Sequence, residues 1–144
     1  MRLINMLNPK RKRMKIYQNE NVLEAAKKRI SWTFDNFENI YLSFSAGKDS
    51  TIMLHLVMNE AIKRNIKIPI LFIDLEGQYN LTIQHVNKCF DLYKDYIIPF
   101  WICLPLHLRN AVSVFETFWL CWDDDRKEDW IRELPRDCIH DLNY

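Results

Sequence analysis

The sequence predicts an α/β domain with a Rossmann-like parallel sheet and helices on both faces. Helix and strand patterns alternate along the chain from residue 19 to residue 104. The segment Ile68–Ile73 is a continuous apolar run, which is typical of a strand that is covered on both faces. The length of 144 residues suits a single domain.

Three helices are predicted from apolar residues that recur every three or four positions. The first spans Asn19–Phe37, and either Asn19 or Asn21 could cap it. The second spans Lys48–Asn65, and the third spans Leu81–Tyr93. The apolar side of the second helix is predicted to comprise Ile52, Met53, Leu56 and Val57.

Three strands are predicted between these helices, at Asn39–Phe44, Ile68–Ile73 and Ile97–Leu104. Beyond Pro105 the patterns weaken: Leu108–Phe118 is predicted as a helix, and the residues after it as largely irregular. In the strand order that the family resemblance given below implies, the first of the three strands lies at an edge. We therefore expect self-association, or a protein partner that covers this edge.

The charge is unevenly distributed, although the net charge is only +1. Residues 1–15 form a basic N-terminal arm without acidic residues, and residues 16–144 form the predicted domain. The run Lys10–Arg13 could contact nucleic acid through phosphates. A solvated tail is the favoured alternative.

Several classes of protein are excluded by the sequence. No run approaches the roughly 18 apolar residues of a membrane span, and no signal peptide is visible, so we expect a cytoplasmic protein. No Cys-x-x-Cys pair is present, so no metal site is predicted. Cysteines and tryptophans are expected mainly in the core, although the tryptophans at 101, 119, 122 and 130 could stack on a base.

The chain has only two glycines, Gly47 and Gly77, where average usage would give about ten. Each follows a predicted strand. We expect each at a position where a Cβ atom is hard to accommodate.

The loop Ser45–Ser50 joins the first strand to the second helix and has the composition of a phosphate site. It offers the free N–H groups of a helix N-terminus, two serine hydroxyls and the charge of Lys48. It is not a Walker A loop, because Leu42 and Asp49 occupy positions where that motif needs Gly and Ser or Thr. The alternative is a capped helix on which Lys48 is merely exposed.

Asp74 and Glu76 follow the second strand, at the same edge of the sheet as this loop. A carboxylate pair at this position suits a magnesium–nucleotide site. An equally weighted alternative is a polar loop in which Asp74 caps a turn.

The loop S-A-G-K-D-S resembles the pyrophosphate loop (PP-loop) S-G-G-K-D-S of the adenine-nucleotide α-hydrolase-like superfamily. Three longer stretches, Leu42–Leu56, Leu71–Val86 and Leu104–Trp122, are similar to the phosphoadenosine phosphosulfate reductase family. Within it they resemble the Ibr-type prophage co-activator subgroup, which suggests a phage or prophage origin.

The resemblance implies an adenine nucleotide such as ATP, cleavage between its α and β phosphates, and Mg²⁺ as a cofactor. Carried over by position, it implies catalytic roles for Lys48 and Asp49. The implied nucleotide-binding residues are Ser43, Ser45, Ala46, Gly47, Lys48, Asp49, Ser50, Asp74 and Glu76.

The chain departs from the family pattern in three respects. Ala46 replaces the first loop glycine, which would strain the backbone if the position needs a positive φ. Cys138 lacks the Glu-Cys-Gly setting of sulfonucleotide reductases, so that reduction is not expected. Relatives in the subgroup are longer and have larger sheets, so this sheet is expected to be incomplete. The leading function is therefore ATP pyrophosphatase or adenylyl-transfer chemistry, and the alternative is a non-catalytic regulatory module that acts with a DNA-binding partner.

Overall fold

The computed structural model describes residues 19–111 and 114–141, so the basic arm lies outside the described residues. The helices are α1 (Val22–Asn36), α2 (Lys48–Arg64) and α3 (Asn80–Leu92), and a 3₁₀ helix spans Asp124–Asp129. The strands are β1 (Leu42–Ser43), β2 (Ile68–Ile73), β3 (Ile97–Ile102), β4 (Leu106–Arg109) and β5 (Phe118–Cys121). None of the helices in the described ranges is long and apolar enough to cross a membrane.

The helix ends follow from local capping. Asn21 caps α1, because its side-chain oxygen accepts a hydrogen bond of 2.9 Å from the Glu24 N–H. Asn65 ends α2 in the left-handed conformation, with φ of 53°, a common way for a helix to stop. The three predicted helices are confirmed, with ends that differ from the predicted ones by at most three residues.

The predicted α/β class is confirmed, because β1, β2 and β3 form a parallel sheet in that order. β1 is shorter than predicted and pairs only Leu42 and Ser43 with β2. Phe44 extends the contact through its N–H, which donates to the Leu71 carbonyl at 2.8 Å. β1 therefore lies at an edge of the sheet, next to the predicted phosphate loop.

One face of this sheet is buried and the other is partly open. On the buried face, β2 contributes Ile68, Ile70 and Phe72 to the hydrophobic core. On the opposite face, Ile73 and Ile98 are 45% and 43% exposed. The strands lie side by side in chain order, so right-handed crossovers bring α2 and α3 to the same face of the sheet. The prediction placed helices on both faces, whereas these two helices cover one face.

The buried side of α2 differs from the predicted one. Leu54, Val57, Met58 and Ala61 are its buried residues, whereas Ile52 and Met53 are exposed. Leu56 lines a groove between α1 and α2. Because apolar residues occur on more than one side of α2, spacing alone could not identify the side that faces the sheet.

The helix predicted at Leu108–Phe118 is wrong. β4 and β5 instead pair as an antiparallel hairpin, with Leu106 opposite Cys121 and Arg109 opposite Phe118. The alternating pattern Leu-His-Leu-Arg in β4 is typical of a strand, and pairing across the hairpin stabilises it. The later chain is also more ordered than predicted, since the Ile139 backbone exchanges hydrogen bonds with Trp101 and Cys103 along the outer edge of β3.

We expect the chain to self-associate, or to bind a partner, through the β1 edge, with which no second strand pairs among the described residues, and through the adjacent, partly exposed face. Ile98→Lys places a charge on that face and should shift the chain towards monomer, because apolar burial drives such contacts. Light scattering on both proteins at about tens of micromolar measures this. A wild-type chain that is fully monomeric in this range would contradict the expectation.

Candidate nucleotide site

The predicted phosphate loop is a short turn that ends in the uncapped N-terminus of α2. Gly47 is the N-cap residue and provides no side-chain hydrogen bond. The first helical bond runs from the Thr51 N–H to the Gly47 carbonyl, at 2.9 Å. The N–H groups of residues 48–50 therefore have no acceptor within the helix. This end of α2 can accept an anion.

Serine hydroxyls link the two sides of the turn. The Ser45 hydroxyl donates to Ser50 Oγ at 3.0 Å, and the Ser50 hydroxyl lies 3.0 Å from the Gly47 carbonyl oxygen. The Gly47 N–H donates to Ser45 Oγ at 3.5 Å. These contacts form a closed ring, so the hydroxyls are held close to the helix N-terminus.

Lys48 supplies a positive charge beside these groups. Its side chain is 85% exposed, and its ammonium lies 3.8 Å from the Asp49 carboxylate, which is itself 92% exposed. An exposed ion pair of this length contributes little free energy. The Lys48 ammonium is therefore available for an incoming anion.

The backbone conformations of Ala46 and Gly47 are the reverse of what their residue types would suggest, because the alanine and not the glycine has a positive φ. Ala46 has φ of 60°, in the left-handed region that favours glycine, whereas Gly47 has φ of −74°. A Cβ atom on Gly47 would meet only Ser45 Oγ, at an ordinary 3.5 Å. Contacts with the residues that the structure describes thus give no reason for a glycine at position 47.

Gly77, in contrast, is required by packing. A Cβ atom there would lie 3.1 Å from the Trp119 ring, which is closer than side chains normally approach.

Ser43 is an exposed residue of β1, paired with Leu71.

Asp74 and Glu76 lie in the loop after β2 and are almost completely buried. Asp74 Oδ2 accepts the indole N–H of Trp101 at 2.7 Å, and Asp74 Oδ1 accepts the Glu76 N–H and an Arg132 guanidinium hydrogen. The Glu76 carboxylate accepts the N–H groups of Trp122, at 2.7 Å, and Ile131, at 3.1 Å. All four carboxylate oxygens are thus engaged by donors from this chain.

Arg132 and Trp122 complete this buried cluster. Sequence reasoning did not identify Arg132, and it considered Trp122 only as a core residue or a possible stacking partner for a base. The Arg132 Nε–H donates to the Glu76 carbonyl at 3.1 Å, and its guanidinium lies over the Trp122 ring, 4.9 Å from the ring centre. The indole N–H of Trp122 donates to the Asp74 carbonyl at 2.7 Å. Arg132 follows Asp74 by 58 residues, and no short-range pattern signals such a pair.

His140 fixes the last described residues to the rest of the domain. Its Nδ1–H donates to the Cys103 carbonyl at 2.7 Å, and its Nε2 lies 3.0 Å from the Asp124 carboxylate. Burial lowers the pKa of His140, but the hydrogen bonds to Asp124 and Cys103 outweigh burial, so this pKa lies above its ordinary value. The protonated imidazole is therefore the form that this site stabilises.

The cysteines show no sign of nucleophilic activation. Burial raises the thiol pKa of Cys89, Cys103 and Cys121, so these groups stay protonated. Cys138 is half-buried and packs against the core. Among the residues that the structure describes, no group of three or more His, Cys, Asp or Glu side chains could hold a metal ion.

Asp74→Ala should destabilise the domain by about 3–5 kcal/mol, because it leaves the Arg132 charge and the Trp101 indole N–H buried without their acceptor. Urea unfolding followed by tryptophan fluorescence measures the change in free energy. The exposed Asp95→Ala is the matched control and should change the stability by less than about 0.5 kcal/mol. Equal effects of the two substitutions would show that the Asp74 contacts do not anchor the fold.

Comparison with known proteins agrees with this architecture. Residues 39–100 match the sequence model of the phosphoadenosine phosphosulfate reductase domain, a segment that begins just before β1 and ends within β3. The chain is also 42% identical over 125 residues to the uncharacterized protein YbdN of Escherichia coli (strain K12). That alignment covers 86% of this chain and 30% of YbdN, so the chain spans less than a third of that relative's length. Residues 39–100 are thus similar to the phosphoadenosine phosphosulfate reductase domain.

Proposed function

We propose that the chain binds an adenine nucleotide, ATP or a close relative, with its phosphates held by the loop Ser45–Ser50. The observation that carries the proposal is the uncapped N-terminus of α2, where N–H groups without helical acceptors lie beside the uncommitted Lys48 ammonium. The family match over residues 39–100 supports nucleotide chemistry at this loop. The finer assignment to the PP-loop superfamily is part of the proposal and rests on the S-A-G-K-D-S motif.

The conformation of Gly47 supports the same assignment. Because none of the described residues excludes a Cβ atom at this position, close approach of a ligand to the backbone would explain the glycine. The loop could then bring its N–H groups within hydrogen-bonding distance of phosphate oxygens.

The proposed chemistry is cleavage of ATP between the α and β phosphates, with transfer of the adenylyl group to an acceptor. A nucleophile of the acceptor attacks the α phosphorus, and the bond to the bridging oxygen breaks with its electron pair leaving on pyrophosphate. Lys48 stabilises the negative charge that develops on this leaving group. Asp49 is the second proposed catalytic residue, and its exposed carboxylate is free to contact the acceptor.

Magnesium does not fit the carboxylate pair in this arrangement. Every oxygen of the Asp74 and Glu76 side chains already accepts a hydrogen bond or ion pair from the chain. A bound Mg²⁺ would have to displace these buried donors. We propose that Asp74 and Glu76 position the edge of the nucleotide site and that magnesium, where it takes part, is held by the nucleotide phosphates.

A second candidate function is a regulatory module that binds the nucleotide without turnover. Two observations favour it: the left-handed conformation of Ala46 strains the loop, and the buried carboxylates are committed to the fold. The proposed Ibr-type prophage subgroup, with its DNA-binding partner, belongs to this alternative. Sulfonucleotide reduction is not proposed, because Cys138 lies in Arg-Asp-Cys-Ile-His and packs against the core.

Lys48→Ala should weaken ATP binding about ten- to a hundredfold, the effect of losing a charge-assisted contact worth roughly 1.5–3 kcal/mol. Calorimetric titration with ATP and magnesium measures this, and a pyrophosphate assay measures turnover. Lys63→Ala is the matched control, because Lys63 is also exposed on α2 but lies at its far end. Unchanged affinity in Lys48→Ala would refute the phosphate-loop assignment.

Ala46→Gly should strengthen ATP binding, because glycine adopts φ of 60° without the roughly 1–2 kcal/mol of strain that an L-residue bears there. The same titration and pyrophosphate assay apply. Pyrophosphate release that rises with affinity supports the enzyme, whereas tighter binding with no release in either protein supports the regulatory module. Weaker binding in Ala46→Gly would show that the alanine is suited to the loop.

A further inference from the structure

A hydrogen bond connects α3 to the first turn of α2, directly behind the phosphate loop. His85 Nε2 on α3 lies 2.9 Å from the Thr51 hydroxyl oxygen, in a partly buried contact between residues 34 positions apart. The His85 ring also lies against Phe44, with 6.3 Å between ring centres. His85 is thus placed to influence the loop without facing the proposed phosphates.

Three hydrogen-bond donors approach the Gly47 carbonyl oxygen, which is more than its lone pairs can accept at full strength. It lies 2.9 Å from the Thr51 N–H nitrogen, 2.9 Å from the Thr51 hydroxyl and 3.0 Å from the Ser50 hydroxyl. A carbonyl oxygen has two lone pairs. Once the Thr51 N–H uses one of them, the two hydroxyls compete for the other.

We infer that His85 is a positioning residue that decides which hydroxyl donates to the Gly47 carbonyl. Its Nε2–H donates to the Thr51 hydroxyl oxygen, and the Thr51 hydroxyl in turn donates to the Gly47 carbonyl. The Ser50 hydroxyl is then able to donate a hydrogen bond to a phosphate oxygen. The inference rests on the proposed nucleotide site. It deepens that proposal, because it names the group that makes a loop hydroxyl available to the ligand.

The surroundings of His85 favour this arrangement. The Thr51 hydroxyl has one proton and lies beside the Gly47 oxygen, which can only accept. If that proton goes to Gly47, the 2.9 Å contact with His85 requires a hydrogen on Nε2. The other neighbour of Nε2, Cys89 Sγ, is 3.6 Å away, and a protonated thiol is a weak hydrogen-bonding partner that competes poorly with Thr51.

A double-mutant cycle with inorganic pyrophosphate as the calorimetric probe tests the inference. His85→Leu should weaken pyrophosphate binding about three- to tenfold, the range for one hydrogen bond. In a Ser50→Ala background it should have no further effect, because the hydroxyl it releases is gone. His85→Gln, whose amide N–H can donate to Thr51, should restore most of the affinity.

The matched control is His55→Leu. His55 lies on α2, one turn beyond Thr51. It makes a similar contact to the C-terminal end of α3, with 2.6 Å between its Nδ1 and the hydroxyl of Tyr93, the C-cap residue. It has no link to the loop, so this variant should lose stability but keep the affinity for pyrophosphate. An equal loss of affinity in His55→Leu, or an undiminished His85→Leu effect in the Ser50→Ala background, would reduce His85 to a structural role and overturn the inference.

Nitrogen NMR of the ligand-free chain gives a second readout that needs no ligand. The His85 ring should carry its hydrogen on Nε2, and Thr51→Val should shift that resonance. A hydrogen on Nδ1 alone would overturn the inference whatever the affinities. If the wild-type chain binds no pyrophosphate, both the proposed function and the donation from the Ser50 hydroxyl to a phosphate are overturned. The NMR spectrum still shows whether His85 donates a hydrogen bond to Thr51.

Discussion

The structure depends most on the buried carboxylates of Asp74 and Glu76. Two negative charges without solvent are costly unless donors surround them. Here the donors come from β3, from the end of β5 and from the segment around Arg132. The need to satisfy these oxygens therefore fixes how the later part of the chain closes over the carboxyl end of β2.

This cluster has a direct consequence for the candidate site. The loop Ser45–Ser50 and the Asp74–Glu76 loop follow neighbouring strands and lie at the same edge of the sheet. One loop has exposed, uncommitted charge, and the other is rigidly packed. A packed loop beside an exposed turn that is proposed to bind an anion is a suitable arrangement for holding a ligand in one orientation.

Much of the fold could be predicted from the sequence, because the first half of the chain is governed by local rules. Apolar spacing located the helices, and the apolar run Ile68–Ile73 located the central strand. Asn21, which caps α1, is one of the two candidate caps that the sequence offered, the other being Asn19. The phosphate loop could be singled out because its residue types have a chemical reason to occur together. Whether it binds a nucleotide remains a prediction.

The second half could not be predicted in the same way, because its structure depends on distant partners. β4 and β5 are short and stabilised by each other, and Arg132 takes its position from Asp74. The backbone of Ile139 pairs with that of Cys103 beside β3, and these two residues are 36 positions apart in the sequence. The open face of the sheet was also missed, since a wholly apolar strand does not reveal whether helices cover one side or two.

The distance in sequence between Asp74 and Arg132 also has a consequence for synthesis on the ribosome. Contacts between residues far apart in the chain form late, since the intervening loop must close first. Until residues 122–132 have emerged, the Glu76 carboxylate lacks the N–H groups of Trp122 and Ile131, and Asp74 lacks the Arg132 guanidinium. The core strands and α2, with the loop between β1 and α2, can assemble during this interval, so we expect the Asp74–Glu76 loop to reach its final structure after the Ser45–Ser50 loop.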